Sequence, residues 1–310
     1  MKRLFILFIF LYVSINSLTL DELFNAQSIN VGFSFLKTSP DPVCLSLGDA
    51  GTAGYKSSSN FLINPASPAF IADKSAAFSY RYSLSALNIS FVSLQMPLLS
   101  GVLSISTGYS SSDTIPLRNE YPTSGNLGLY RFSSFSVGIA YSKEIVKGIY
   151  IGLLGRSISE ISYDLSKTAF VGGAGLLMDF ERVKGFSVGV SLLNMGGRVR
   201  YDEGNTDYII PPFTLRAGVR EYIRISDNMN TTLMADFIKV NDQKYKLSFS
   251  DEFEILGNFT IRGGYVFNDP TRFFSLGIGM KTDRLRIDYA FSPYTYNLGI
   301  DNSISLTYMF

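Results

Sequence analysis

The feature that most constrains this chain is an alternation of period two, sustained from about Ala76 to Phe310. Phe135, Val137, Ile139 and Tyr141 alternate with Ser134, Ser136, Gly138 and Ala140. Phe186, Val188, Val190 and Leu192 alternate with Ser187, Gly189 and Ser191, and Leu285, Ile287, Tyr289 and Phe291 with Arg284, Arg286 and Asp288. The last row, Ile304, Leu306, Tyr308 and Phe310 against Ser303, Ser305 and Thr307, is the cleanest. Successive side chains of a strand point to opposite faces, so each row has one apolar face and one small or polar face. A soluble sandwich alternates in the same way, but its solvent face is normally rich in Lys and Glu. Here the second face is mostly Ser, Gly and Thr, and only 17% of the chain is charged, against about 25% in ordinary soluble domains. The expectation is an all-β chain: an antiparallel transmembrane β-barrel with lipid on its apolar face.

Strands are expected near 76–83, 88–96, 101–109, 133–142, 149–155, 168–180, 185–193, 212–221, 230–239, 245–250, 258–267, 273–281, 284–291 and 302–310. That makes 14, an even number as in bacterial single-chain barrels. With both ends in the periplasm, odd connections are outer loops and even ones short turns. The long gaps 110–132, 156–167, 194–211 and 292–301 are all odd; the short ones at 98–100, 143–148, 181–184 and 282–283 are all even. The gaps 222–229 and 251–257 break the pattern, being even but long. Tyr80, Tyr82, Tyr109, Tyr141, Tyr265 and Tyr308 fall near strand ends and suit an interfacial belt in a chain without Trp. Ile304, Leu306, Tyr308 and Phe310 form a terminal strand of the kind the barrel-assembly machinery reads. A terminal aromatic on an open edge would be a hazard in a soluble protein.

The start of the chain reads as an export signal: Met1-Lys2-Arg3, an apolar run from Leu4 to Ile15, then a polar exit with cleavage open between Ser17 and Thr19. The run is shorter than the ~20 residues of a spanning helix. Three regions follow: a signal peptide over 1–19, an N-terminal segment and plug over 20–75, and an outer-membrane barrel over 76–310.

Composition narrows the chemistry. The chain has no His and 1 Cys, which removes His-based triads, most zinc sites, disulfides and clusters held by four thiolates. The balance of 27 basic to 26 acidic residues gives no footprint for nucleic acid. No enzyme, no cofactor and no metal are expected. The partners expected are outer-membrane lipid, the assembly machinery, and either secreted proteins or small hydrophobic molecules.

Residues 37–75 do not alternate. They hold a small-residue stretch, Leu45 to Gly54, and then Phe61-Leu62-Ile63-Asn64-Pro65-Ala66-Ser67-Pro68-Ala69-Phe70. Small residues permit close backbone packing and Asn-Pro favours a turn, which suits a compact plug; no phosphate-cradle spacing occurs. Gly48, Asp49, Ala50 and Gly51, followed by Asn64, Pro65 and Ala66, resemble the N-terminal signature of PorV/PorQ-type outer-membrane proteins, relatives of the FadL-type long-chain fatty-acid transporters. Where that family often has Arg before the small-residue run, this chain has Val43 or Cys44. The resemblance implies a 14-stranded barrel whose N-terminal segment enters the lumen. It also implies two roles: a protein-handling component of secretion or surface attachment, acting through loops 110–132 and 194–211, or a conduit for small hydrophobic molecules with 37–75 as a hatch. The first is the leading expectation and the second its alternative.

Six charges fall on the predicted lumen face: Arg216, Asp236, Lys246, Arg262, Arg286 and Asp288. They are read either as a polar pathway or, preferably, as a lattice of ion pairs stiffening the barrel. Asp49 is read as a pin to a lumen Arg or, preferably, as a turn cap. Cys44 is read as a small buried hydrophobe.

Overall fold

The alternating rows pair edge to edge until the sheet closes on itself. The computed structural model describes residues 30–72, 74–83, 87–118, 128–163, 165–180, 185–200 and 208–310. Fourteen antiparallel strands form one closed barrel. They are β1 (Ser75–Ser83), β2 (Leu87–Leu98), β3 (Gly101–Ser112), β4 (Phe132–Val146), β5 (Ile149–Ser162), β6 (Leu165–Asp179), β7 (Phe186–Gly196), β8 (Thr214–Ser226), β9 (Met229–Val240), β10 (Lys246–Ile255), β11 (Phe259–Phe267), β12 (Phe274–Lys281), β13 (Leu285–Pro293) and β14 (Ile300–Met309). All fourteen expected strands are present. β1 closes on β14 with Phe78 opposite Leu306, so no edge is left unpaired. Ile304, Leu306 and Tyr308 face outward, and the Phe310 amide donates to Lys74 O at 3.0 Å, extending the closing seam.

The two faces divide as the sequence rows do. Phe135, Ile139, Ile278 and Leu306 stand exposed on the outer wall, while Ser134, Ser136, Ala140 and Ser305 are buried on the inner one. The connections correct the sequence reading in three places. β5 runs on to Ser162 and β6 starts at Leu165, with these two residues paired, so most of the loop expected at 156–167 is strand. The gaps expected at 222–229 and 251–257 shrink to 227–228 and 256–258, because β8 and β10 continue to Ser226 and Ile255. Those strand ends carry Glu221, Arg224, Asp251 and Glu252, which mask the apolar row. With them restored, one end of the barrel has only short turns. The other bears the longer connections, including two-stranded ribbons at 115–117 with 128–130 and 199–200 with 208–209.

Residues 30–72 lie inside the barrel. They start at the long-loop end, where Val31 bridges Ile210. They then pass through helix α1 (Pro42–Ser46) and end in helix α2 (Ser67–Ile71), just before β1. Phe33, Phe35 and Leu36, ahead of the non-alternating stretch that starts at 37, are buried against Ile89, Phe91 and Ile158 of the wall. A second cluster joins Val43, Cys44, Leu47, Tyr55 and Ile63 to Met234 of β9. The signal-peptide reading of 1–19 lies outside the described residues.

Candidate functional site

The plug is built around buried polar groups that bond its own backbone and the wall. Asp41 caps α1: its carboxylate accepts from the Cys44 amide at 2.8 Å, the Ser57 hydroxyl at 2.6 Å and the Tyr55 hydroxyl at 3.2 Å. Burial pushes the Asp41 carboxyl up, against the hydrogen bonds from Ser57 and Cys44. Burial also pushes the Cys44 thiol well up, so this buried Cys is inert.

After α1 the chain turns sharply, with Gly48 and Asp49 in the left-handed region at φ 59° and 64°. The turn delivers the Asp49 carboxylate to Arg272 and to the Ser39 hydroxyl. Asp49 is thus an ion-pair partner of an Arg, but that Arg lies on the loop between β11 and β12. Burial would raise the Asp49 carboxyl; Arg272, Ser39 and Arg216 overcome it and hold the group below its usual range. The next turn docks on β9, where Asp236 Oδ2 accepts from the Gly51 amide at 3.1 Å, the Thr52 amide at 2.9 Å and the Thr52 hydroxyl at 2.6 Å. Ala50 is fully buried beside it.

Asn64, Pro65 and Ala66 form the second seat. Asn64 Nδ2 donates to Thr52 O at 2.7 Å and Leu176 O at 3.2 Å, while its Oδ1 accepts from the Ala66 amide at 3.0 Å. The wall meets this backbone with glycine. A Cβ on Gly175 would overlap Asn64 Oδ1, and one on Gly152 would overlap Pro65 O. Ser93, Ser79 and Ser248 complete the seat on other strands by bonding Ser59, Pro40 O and Gly48 O.

The six inward charges sit in a lattice. Arg216 pairs with Asp236 at 3.2 Å, Arg262 with Asp288 at 2.9 Å and Arg286 with Asp288 at 2.8 Å. Lys246 reaches Asp269 of the loop after β11 at 2.8 Å. Sequence reasoning missed Glu252, which pairs with Arg262 at 2.7 Å, the Arg81–Asp301 pair, and Arg272 as the arginine that Asp49 meets. Arg81 could have been found from its place between Tyr80 and Tyr82. Glu252 follows Asp251 directly, so its row was ambiguous.

Between the plug and the long-loop end lies a cavity of about 220 Å³. Its apolar lining is Leu36, Pro40, Leu62, Ile63, Phe91, Leu193, Ile238 and Val240; Lys37, Arg81, Arg156, Arg216, Lys246 and Arg272, with Asp49 and Asp269, supply its charges. The wall beside it is irregular. The β6–β7 register shifts between Gly172 and Ala174, and Asn194 is left-handed at φ 58°.

Solved structures with this architecture exist. The *Pseudomonas putida* toluene transporter TodX aligns with a TM-score of 0.61 at 10% identity, covering 93% of this chain and 99% of its own. The barrel has the fold of solved hydrocarbon channels. CymD, a monoaromatic hydrocarbon channel, aligns with a TM-score of 0.59 at 13% identity over 88% of this chain and 98% of its own. A *Pseudomonas aeruginosa* FadL homologue gives 0.54 at 11% identity over 87% and 98%. No family model and no curated protein matches the chain.

Proposed function

We propose that this hydrocarbon-channel fold works in the outer membrane as a conduit for small hydrophobic molecules, with residues 30–72 as its hatch. The observation that carries the reading is the cavity of about 220 Å³ on the plug, walled by Leu36, Leu62, Phe91, Leu193 and Val240 beneath the long loops. The cavity joins that apolar wall to a polar and charged one that includes Arg81, Arg216, Arg272, Asp49 and Asp269, and small-molecule sites pair apolar walls with placed polar groups in this way. The sequence resemblance carried a secretion role and a conduit role, and the hydrocarbon-channel fold weighs for the conduit. In this reading the long loops face outward and the short turns face the periplasm. A molecule held in the cavity leaves by a shift of the plug or past the broken register of β6 and β7.

The test is uptake of labelled toluene by intact cells producing the barrel, compared with cells producing Leu193→Arg, which places a charge in the cavity. Faster uptake with the unaltered chain and loss with the variant is the expected result. Uptake equal to that of cells lacking the protein would sink the proposal.

A further inference from the structure

Away from the strand ends, the outer wall of the described strands carries charge only at Glu221 of β8 and Asp251 of β10. The other outward charges, Lys143 and Lys239, lie near the ends of β4 and β9. Glu221 and Asp251 both stand opposite Leu233 of β9, so the two carboxylates share one row across three strands. Two strand spacings put them about 10 Å apart. Apolar residues flank each on the outward face, Val219 and Ile223 along β8 and Phe249 and Phe253 along β10. Asp251 accepts a hydrogen bond from the Thr231 hydroxyl. Neither carboxylate has an ion-pair partner among the described residues. Ionisable side chains at membrane depth are costly, and they pair with one another or mark functional positions.

The same face is grooved. Glu221 and Asp251 border a groove of about 610 Å³, walled by Leu233, Phe249, Tyr265 and Leu276, with the small residues Ala235 and Gly263 at its floor. Acyl chains fill an apolar groove but bring no cation to the carboxylates, and lipid ammonium groups stay at headgroup level. A second copy related by a two-fold axis would set Glu221 and Asp251 against their own equivalents, with Lys143 and Lys239 away from the row. The charge pattern fits a different chain. We propose that the face from β8 to β12 docks another membrane-embedded protein, whose lipid-facing surface presents a lysine or arginine among apolar residues. The cation sits over Leu233 between the two carboxylates, and an apolar side chain of the partner fills the groove above Gly263. Out of water such a charge pair is strong, and a partner lacking the cation leaves both carboxylates unmatched, which gives selectivity. The docking face is on the outer wall and is independent of what passes through the lumen.

The test is photo-crosslinking in intact cells producing the full chain, with benzoylphenylalanine in place of Phe249 beside the groove or of Phe135 on β4. The expected result is a discrete adduct from position 249, absent from position 135, whose crosslinked peptide belongs to another membrane protein and carries Lys or Arg. Glu221→Gln combined with Asp251→Asn should lower its yield at least about tenfold, the scale of losing a desolvated charge partner. Gly263→Leu should abolish it: a Cβ there meets only the Leu276 side chain, at 3.8 Å, so the groove is filled with no clash in the barrel. It decides the matter if the double variant fails to give a heat-modifiable barrel. The proposal is overturned by equal adducts from positions 249 and 135, or by adducts with lipid or a second copy alone. A crosslinked peptide without a basic residue, or a yield that survives either change, overturns it equally.

Discussion

Arg272, on the loop between β11 and β12, is ion-paired with Asp49 of the plug, 223 residues away in sequence. A second carboxylate, Asp301 of β14, lies 3.9 Å from the same guanidinium, so Arg272 ties loop, plug and wall together. The tie links the longer-loop end of the barrel directly to the plug. Asp49→Asn removes its charge while keeping its shape. We expect the variant to fold and to show more frequent openings in planar bilayers than the unaltered barrel. Identical conductance traces would show that the pair does not restrain the plug.

The glycine seat makes a sharper prediction because two glycines on adjacent strands serve as test and control. Gly175 of β6 faces the plug, where a Cβ would overlap Asn64 Oδ1 and lie 2.9 Å from the Ala66 amide nitrogen. Gly155 of β5 has nothing within 4 Å of the same position. Gly175→Ala should destabilise the closed form by about 1–3 kcal/mol, as overpacking does, and Gly155→Ala should not. The measurement is the temperature at which each variant loses its fast-migrating form on a detergent gel. Equal temperatures would mean that the plug gives way freely at Asn64.

These two glycines also show what was legible in the sequence. All fourteen strands could be read because lipid and lumen impose different residues on the two faces. The reading failed where that contrast fades: at the β5–β6 hairpin, where Ser157, Ser159 and Glu160 precede the turn, and at the ends of β8 and β10, where charges enter the row. The inward placement of Arg216, Asp236, Arg262, Arg286 and Asp288 followed from parity. Their pairing across strands did not, because it depends on register. Arg156 escaped notice because the row was ended at Gly155, although Leu154, Arg156 and Ile158 continue the alternation. Nothing local in the sequence links Asp49 to Arg272, since tertiary structure alone brings them together.

Asp236 is the principal anchor on β9. It accepts from the Gly51 amide, the Thr52 amide and hydroxyl, and Arg216. Asp236→Ala would leave Arg216 buried beside two unpaired plug amides. Breaking one partner of a buried pair typically costs about 3–5 kcal/mol. The variant is expected to assemble poorly, or to reach the membrane with its plug accessible to protease from the short-turn side. Folding yield and protease resistance matching the unaltered chain would exclude an anchoring role.

The loop tie has a defined acid dependence. Burial alone would raise the Asp269 carboxyl, but Lys246 and the hydrogen bonds from Thr271 hold it at about 2, below its ordinary 3.8. A carboxyl lowered by folding stabilises the folded state fully above its ordinary value, and the contribution fades as pH falls toward the lowered one. The stability difference between the unaltered chain and Asp269→Asn should therefore be constant from neutral pH down to about 4 and close only between there and about 2. Melting of both proteins across that range reads the difference directly. A gap that already narrows near pH 6 would show that the Lys246–Asp269 pair does not form in the folded barrel.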